Sequence, residues 1–212
     1  TDRIWAKPVV VNDTVYVASL DQNLYAVAPS DGTLIWQQPL NGAIAGTPVV
    51  VGDALWVGDF GNRFYQIDRA TGDVLWSYEG QDWFWSSPVV QGTTVYVADV
   101  AGTVYALDTV ERVVLWTAQI DDTVRGRPAF SADGDILFVP GYERGLVHAL
   151  DVESGQKMAW GTVPESPGRL PSNLVTDDDH LYVMPILIPE RVRVFALDSG
   201  TLAWAYSISE EE

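Results

Sequence analysis

Few residues in this chain have the chemistry to act on another molecule. The two histidines, His148 in "VHAL" and His180 at the end of "TDDDH", stand apart, and the absence of cysteine removes thiol nucleophiles, thiolate metal sites and a disulfide scaffold. The run Asp177, Asp178, Asp179 has the residue type of a calcium loop but not its spaced oxygen ligands, and it reads as a solvated turn. More suggestive is a set of aromatic and cationic residues: Trp5 with Lys7, Trp83 with Phe84 and Trp85, and Arg125 with Arg127. Aromatic anchors and arginines are enriched in interaction hot spots, so this is the chemistry of binding, suited to an acidic or extended peptide. Ile186, Leu187 and Ile188 in "MPILIPER", which Pro185 and Pro189 are expected to hold extended, either cap the channel end or form a second candidate contact surface.

Whether these residues act together depends on the elements that carry them, and those elements repeat. Five segments end in tryptophan, at Trp36, Trp76, Trp116, Trp160 and Trp204, spaced 40, 40, 44 and 44 residues apart. Each period opens on proline and a short apolar run: "PVVV" at Pro8 and Pro48, "PVVQ" at Pro88, "PAFS" at Pro128 and "PSNL" at Pro171. A second run follows ("VYV", "LWV", "VYV", "LFV", "LYV"), then a third ("LYAV", "FYQI", "VYAL", "VHAL", "VFAL"), and a fourth that ends at the tryptophan. Short β-rich runs bounded by Asn, Asp, Gly and Ser are antiparallel strands joined by tight turns, and four per period make a propeller blade. His148 takes the place of Tyr25, Tyr65, Tyr105 and Phe195, and so reads as a core substitution.

In the turn before each tryptophan, as in "DRATGDVLW", the aspartate accepts backbone N–H bonds and the glycine supplies a positive φ. A tryptophan there is placed to lie between neighbouring blades with its indole N–H on a turn carbonyl, which makes Trp36, Trp76, Trp116, Trp160 and Trp204 structural staples. The predicted fold is an all-β propeller of five blades, at about 6–43, 46–83, 86–123, 126–165 and 169–209. It forms a single propeller domain or part of a larger one. The chain starts at Thr1, which reads as a processed or excised piece. The candidate residues sit on the links entering the inner strands, where Ile4, Ile44, Phe84 and Val124 alternate with them and are expected to fill the wall.

The pattern A-x-D-x-x-T-G-x-x-x-W after a Y-A-L strand, best seen in "ALDVESGQKMAW", "ALDSGTLAW" and "QIDRATGDVLW", resembles the pyrroloquinoline-quinone-like (PQQ-like) repeat β-propeller family. Such propellers typically have seven or eight blades, so five imply part of a ring whose open faces invite self-association. The resemblance implies one of two functions. The first is a non-catalytic interaction scaffold of the periplasmic or extracellular cell envelope, similar to a β-barrel assembly lipoprotein or to extracellular sensor modules. The second is part of a quinoprotein dehydrogenase. The quinone enzymes commonly hold their cofactor over an adjacent-cysteine disulfide with calcium, which no residue here matches, so no catalytic, cofactor or metal residue is carried over and the scaffold is the expectation. Its partner would be a protein or extended peptide. A formal charge of −17 disfavours nucleic acid and anionic membranes, and no apolar run approaches the 18 or so residues of a membrane span.

Overall fold

The computed structural model describes residues 3–160 and 168–207. Among these residues there is no helix, and the strands fall into five antiparallel sheets in chain order. Sheet one is β1 (Val9–Val11), β2 (Thr14–Ala18), β3 (Asn23–Val27) and β4 (Leu34–Pro39). Sheet two is β5 (Val49–Val51), β6 (Ala54–Gly58), β7 (Arg63–Asp68) and β8 (Val74–Glu79), and sheet three is β9 (Val89–Gln91), β10 (Thr94–Ala98), β11 (Thr103–Asp108) and β12 (Val113–Gln119). Sheet four has three strands, β13 (Ala129–Phe130), β14 (Ile136–Pro140) and β15 (Val147–Asp151). Sheet five is β16 (Val175–Thr176), β17 (His180–Val183), β18 (Glu190–Ala196) and β19 (Leu202–Ser207). The chain divides into two compact units, Thr1–Leu115 and Trp116–Glu212.

Two expectations about the outer strands change. They run past the tryptophan instead of ending at it, as in Leu34–Pro39 around Trp36. Sheet four also lacks its fourth strand among the described residues. A bridge from Lys157 to Leu150 and the bond from Met158 N–H to the Ala149 carbonyl begin the pairing, but the described segment stops at Trp160.

Alternation along the strands shows which sheet faces are covered. In the first unit, Leu55, Val57, Tyr65 and Ile67 of sheet two pack against Tyr16, Ala18, Leu24, Ala26 and Trp36 of sheet one. From the opposite face of sheet two, Ala54, Trp56 and Phe64 pack with Val95, Val97, Tyr105 and Leu107 of sheet three. Covered on both faces, β6 is buried at all five positions, whereas β3 alternates between buried and half-buried. In the second unit Phe138 and Ala149 of sheet four meet Leu181, Val183 and Phe195 of sheet five.

Three of the turns before the tryptophans share one aspartate hydrogen-bond pattern. Asp68 Oδ1 accepts the N–H groups of Ala70 and Thr71, Asp108 Oδ1 those of Val110 and Glu111, and Asp151 Oδ1 that of Ser154. These donors hold the Asp68 carboxyl below its ordinary pKa, while at Asp151 the Ser154 hydroxyl acts first and its N–H second. Gly72 (φ 83) and Gly155 (φ 71) close the turns in the left-handed region, and Arg112 does so at φ 60 where the repeat has lost its glycine.

Candidate functional site

The links into the blades are bonded to the loops between second and third strands. Leu20, Phe60, Val100 and Tyr142 donate their N–H groups to the carbonyls of Arg3, Ala43, Trp83 and Thr123. Side chains then alternate along each link. Ile44, Phe84 and Val124 are fully buried, and their neighbours on either side face outward. Ile4 departs from the wall-filling expectation, being 56% exposed.

In the first unit this alternation gathers Trp5, Trp83 and Trp85 around a residue that the sequence pattern did not single out. Phe60 stacks on Trp83 at 5.2 Å and on Trp85 at 5.0 Å, and Trp85 meets Trp5 at 5.5 Å. Trp5 and Trp83 are half exposed, 52% and 47%, so the four rings form a contiguous apolar patch open to solvent. The available signal was positional: "GDFGNR" puts an aromatic where "ASLDQN" and "ADVAGT" have Leu20 and Val100. Lys7 is exposed beside this link, and its backbone N–H donates to Thr47 Oγ1 at 2.9 Å.

Buried carboxylates fix the links beneath the patch. Asp59 is fully buried; its Oδ2 accepts the Gly42 N–H and the Tyr65 hydroxyl, both at 2.9 Å, and its Oδ1 accepts the N–H groups of Gly61 and Arg63. Asp99, equally buried, repeats this with Gln81 N–H, the Tyr105 hydroxyl at 2.7 Å and Thr103 N–H. Burial, reinforced by the carboxylate, pushes the Tyr65 and Tyr105 phenols well above their ordinary range. The strand tyrosines are therefore tethers as well as core.

In the second unit the same positions carry different groups. Gly141 stands where Asp59 and Asp99 stand, and the carboxylate comes instead from the link: Asp122 accepts the N–H groups of Thr123, Glu143 and Arg144. A Cβ on Gly141 would lie 2.2 Å from Asp122 Oδ2 and 2.9 Å from His148 Nε2, so the glycine makes room for both. Burial lowers the His148 pKa, opposed by the charge of Asp122. Arg125 does not project freely: its guanidinium lies 4.2 Å from the centre of the Tyr142 ring, with that of Arg169 at 5.4 Å and paired to Glu143 at 3.0 Å. Arg127 is exposed and donates its backbone N–H to Asn173.

A cavity of about 220 Å³ in this unit is lined by His148, Lys157, Met158, Trp160, Leu170 and Arg193, among others. Among the described residues no group of three or more His, Cys, Asp or Glu side chains could hold a metal ion. The "MPILIP" segment is bent, not extended. Ile186 pairs with Arg169 in both directions, and Leu187 turns through φ 68 with 73% of its surface exposed, because Pro185 and Pro189 fix only their own φ. Ile186 is exposed and Ile188 half-buried.

The tryptophans at the period ends are held unequally. The indole N–H groups of Trp36, Trp116 and Trp160 donate to the turn carbonyls of Arg69, Val152 and Leu197 at 3.1, 3.0 and 2.9 Å. Trp76 packs on Trp56 and Tyr78. Trp204 departs from the staple expectation, with 50% of its surface exposed against 9% for Trp36.

Residues 2–206 match the model of the family described as outer membrane protein assembly factor BamB. Among solved structures the chain is similar to BamB from Moraxella catarrhalis (TM-score 0.79, 19% identity, covering 97% of this chain and 65% of that one). It is also similar to the computationally designed Ika8 protein (TM-score 0.75, 15% identity, 90% and 57%). The chain thus spans less than two thirds of the length of either neighbour. No curated protein matches it.

Proposed function

Since the chain belongs to the family of outer membrane protein assembly factor BamB, we propose that it is a non-catalytic β-propeller scaffold that holds another protein, in an extended segment, at the cell envelope. The observation that carries this reading is the solvent-open cluster of Trp5, Phe60, Trp83 and Trp85. The rings stack on one another, so their outer surfaces and edges suit aliphatic or aromatic side chains from a partner. Lys7 stands exposed nearby, on a chain of net charge −17, and would favour an acidic group in the bound segment.

The site is tested by placing a photo-crosslinking residue at Trp83 in producing cells, identifying the captured protein, and titrating it against the purified chain. Trp83→Ala should weaken binding by about 2 kcal/mol, roughly thirtyfold, while the melting temperature stays unchanged. Undiminished affinity of that variant overturns the assignment of the patch. Binding that is lost only together with the fold would make the rings core residues.

A further inference from the structure

One position of the repeat meets a carboxylate in sheets one to four and carries a cation in sheet five. Cross-strand register defines it: Val17, Val57, Val97, Val139 and Val183 lie opposite Tyr25, Tyr65, Tyr105, His148 and Arg193. The sequence repeat put Phe195 at this position, and the register moves Arg193 into its place. Tyr25 donates its hydroxyl to Asp21 at 2.8 Å, Tyr65 to Asp59 and Tyr105 to Asp99, while His148 lies beside Asp122.

The places that supply those carboxylates are not acidic in sheet five. Asp21 stands four residues after its valine, and Asp59 and Asp99 stand two after theirs. Asp122 precedes the link residue, Thr123, whose carbonyl takes the N–H of Tyr142, as that of Arg169 takes the N–H of Ile186. The corresponding residues are Leu187, Pro185 and Gly168. A cation has replaced the hydroxyl or imidazole, and none of the three places answers it with an acid.

The cavity of about 220 Å³ in the second unit lies at this point, lined by both Arg193 and Pro185. Arg193 is only 7% exposed, and the five N–H donors of a guanidinium serve several acceptors at once. Lys157 also lines the cavity and is exposed, which puts a second cation where the cavity meets solvent. No Asp or Glu is among the described residues of the lining, on a chain with 29 of them against 12 Lys and Arg. The rest of the wall is largely apolar, with Val147, Trp160, Leu170, Val183 and Phe195 from the core between sheets four and five.

We propose that this cavity binds a small apolar monocarboxylate. The carboxylate pairs with Arg193, in the geometry a guanidinium fork favours, with Lys157 at the mouth, and the hydrocarbon lies against Trp160, Leu170, Val183 and Phe195. Inorganic phosphate would answer the cations but leave the apolar wall wet, and a neutral hydrocarbon would leave a buried cation without its acid. An apolar cavity of about 150 Å³ holds benzene, so this one has room for a single ring or a short acyl chain with the carboxylate attached. The site shares no residue with the aromatic cluster of the first unit.

Isothermal titration calorimetry of residues 1–212 with octanoate tests this, against 1-octanol and inorganic phosphate. Octanoate should bind one to one with a Kd on the order of 0.1 mM, and each of the other two at least about tenfold more weakly. Arg193→Met should weaken octanoate by about tenfold or more and leave octanol unchanged. Lys157→Gln, at an exposed position, should weaken octanoate by about threefold, and Val147→Phe, which fills the cavity, should abolish binding. Circular dichroism melting establishes that each variant is folded; should Arg193→Met not fold, the other two decide. The proposal is overturned if octanoate shows no saturable binding at millimolar concentration or binds no better than octanol. Octanoate binding that survives Val147→Phe lies elsewhere on the chain and overturns it too, as do Arg193→Met and Lys157→Gln variants that bind like the wild type.

Discussion

Gly32 and Gly72 make a matched pair that separates backbone strain from contact with a tryptophan ring. Both close the same five-residue turn in the left-handed region, at φ 74 and 83. Alanine at Gly32 meets nothing within 4 Å, so its cost is the left-handed penalty alone, about 1–2 kcal/mol. Alanine at Gly72 incurs the same penalty and also brings Cβ to 2.8 Å from two ring carbons of Trp36 and 3.2 Å from a third, well inside normal contact. Overpacking of this kind adds about 1–3 kcal/mol, for a total of roughly 2–5. In a Trp36→Ala background the ring is gone, and Gly72→Ala should fall back to the Gly32→Ala value. Trp36→Ala itself should cost about 3–5 kcal/mol, of which the indole bond to the Arg69 carbonyl accounts for about 1, since that carbonyl keeps the Tyr16 hydroxyl. Equilibrium urea unfolding of the four variants measures each term. Equal costs for the two glycine substitutions, to within about 0.5 kcal/mol, would refute the reasoning that the ring is clamped beneath Gly72.

Arg112 occupies the glycine position of the third turn at φ 60 with its side chain exposed, so Arg112→Gly should stabilise the protein by up to about 1 kcal/mol, read as a higher urea midpoint at unchanged slope. The Asp177 carboxyl is held at about 2, first by the Tyr182 hydroxyl and then by the N–H groups of Asp179 and His180. Its folded value lies below the unfolded one, so its contribution is complete above about pH 4 and is lost as pH falls towards 2. Tyr182→Phe should raise the Asp177 midpoint towards 3.8 and flatten that acid loss, as followed by carboxyl carbon NMR.

What the sequence carried and what it hid divide along a physical line. Spacing and turn chemistry are local, and they were enough to give the four-strand repeat, the N–H bonds to Asp68 and Asp108, and the left-handed glycines. Contacts between the links and the loops that face them, seventeen or more residues apart, were not legible. Asp59 looks like any turn aspartate until the link from the previous blade brings Gly42 N–H onto it, and Phe60 looks like a loop residue until Trp83 and Trp85 stack on it. Arg125 was legible as a cation beside an aromatic-rich link, but its Tyr142 comes from a loop seventeen residues on. The bend at Leu187 escaped because two prolines constrain φ at their own positions and leave the residues between them free.

The buried carboxylates bear on the proposed binding patch through entropy. A patch on mobile loops would have to be ordered on binding, at about 0.5–1.5 kcal/mol for each immobilised side chain. Here the link carrying Trp83 and Trp85 is bonded at Gln81 to Asp99, at Phe84 to the Asp59 carbonyl and at Trp83 to Val100, and Phe84 between the two tryptophans is fully buried. The loop carrying Phe60 is fixed by Asp59, whose two oxygens accept four hydrogen bonds. Each buried carboxyl thus ties its loop to the preceding link through several bonds at once. Rings held apart from solvent-driven rearrangement in this way meet a partner in the geometry they already have. The proposed patch of Trp5, Phe60, Trp83 and Trp85 would therefore spend little of its binding energy on organising itself.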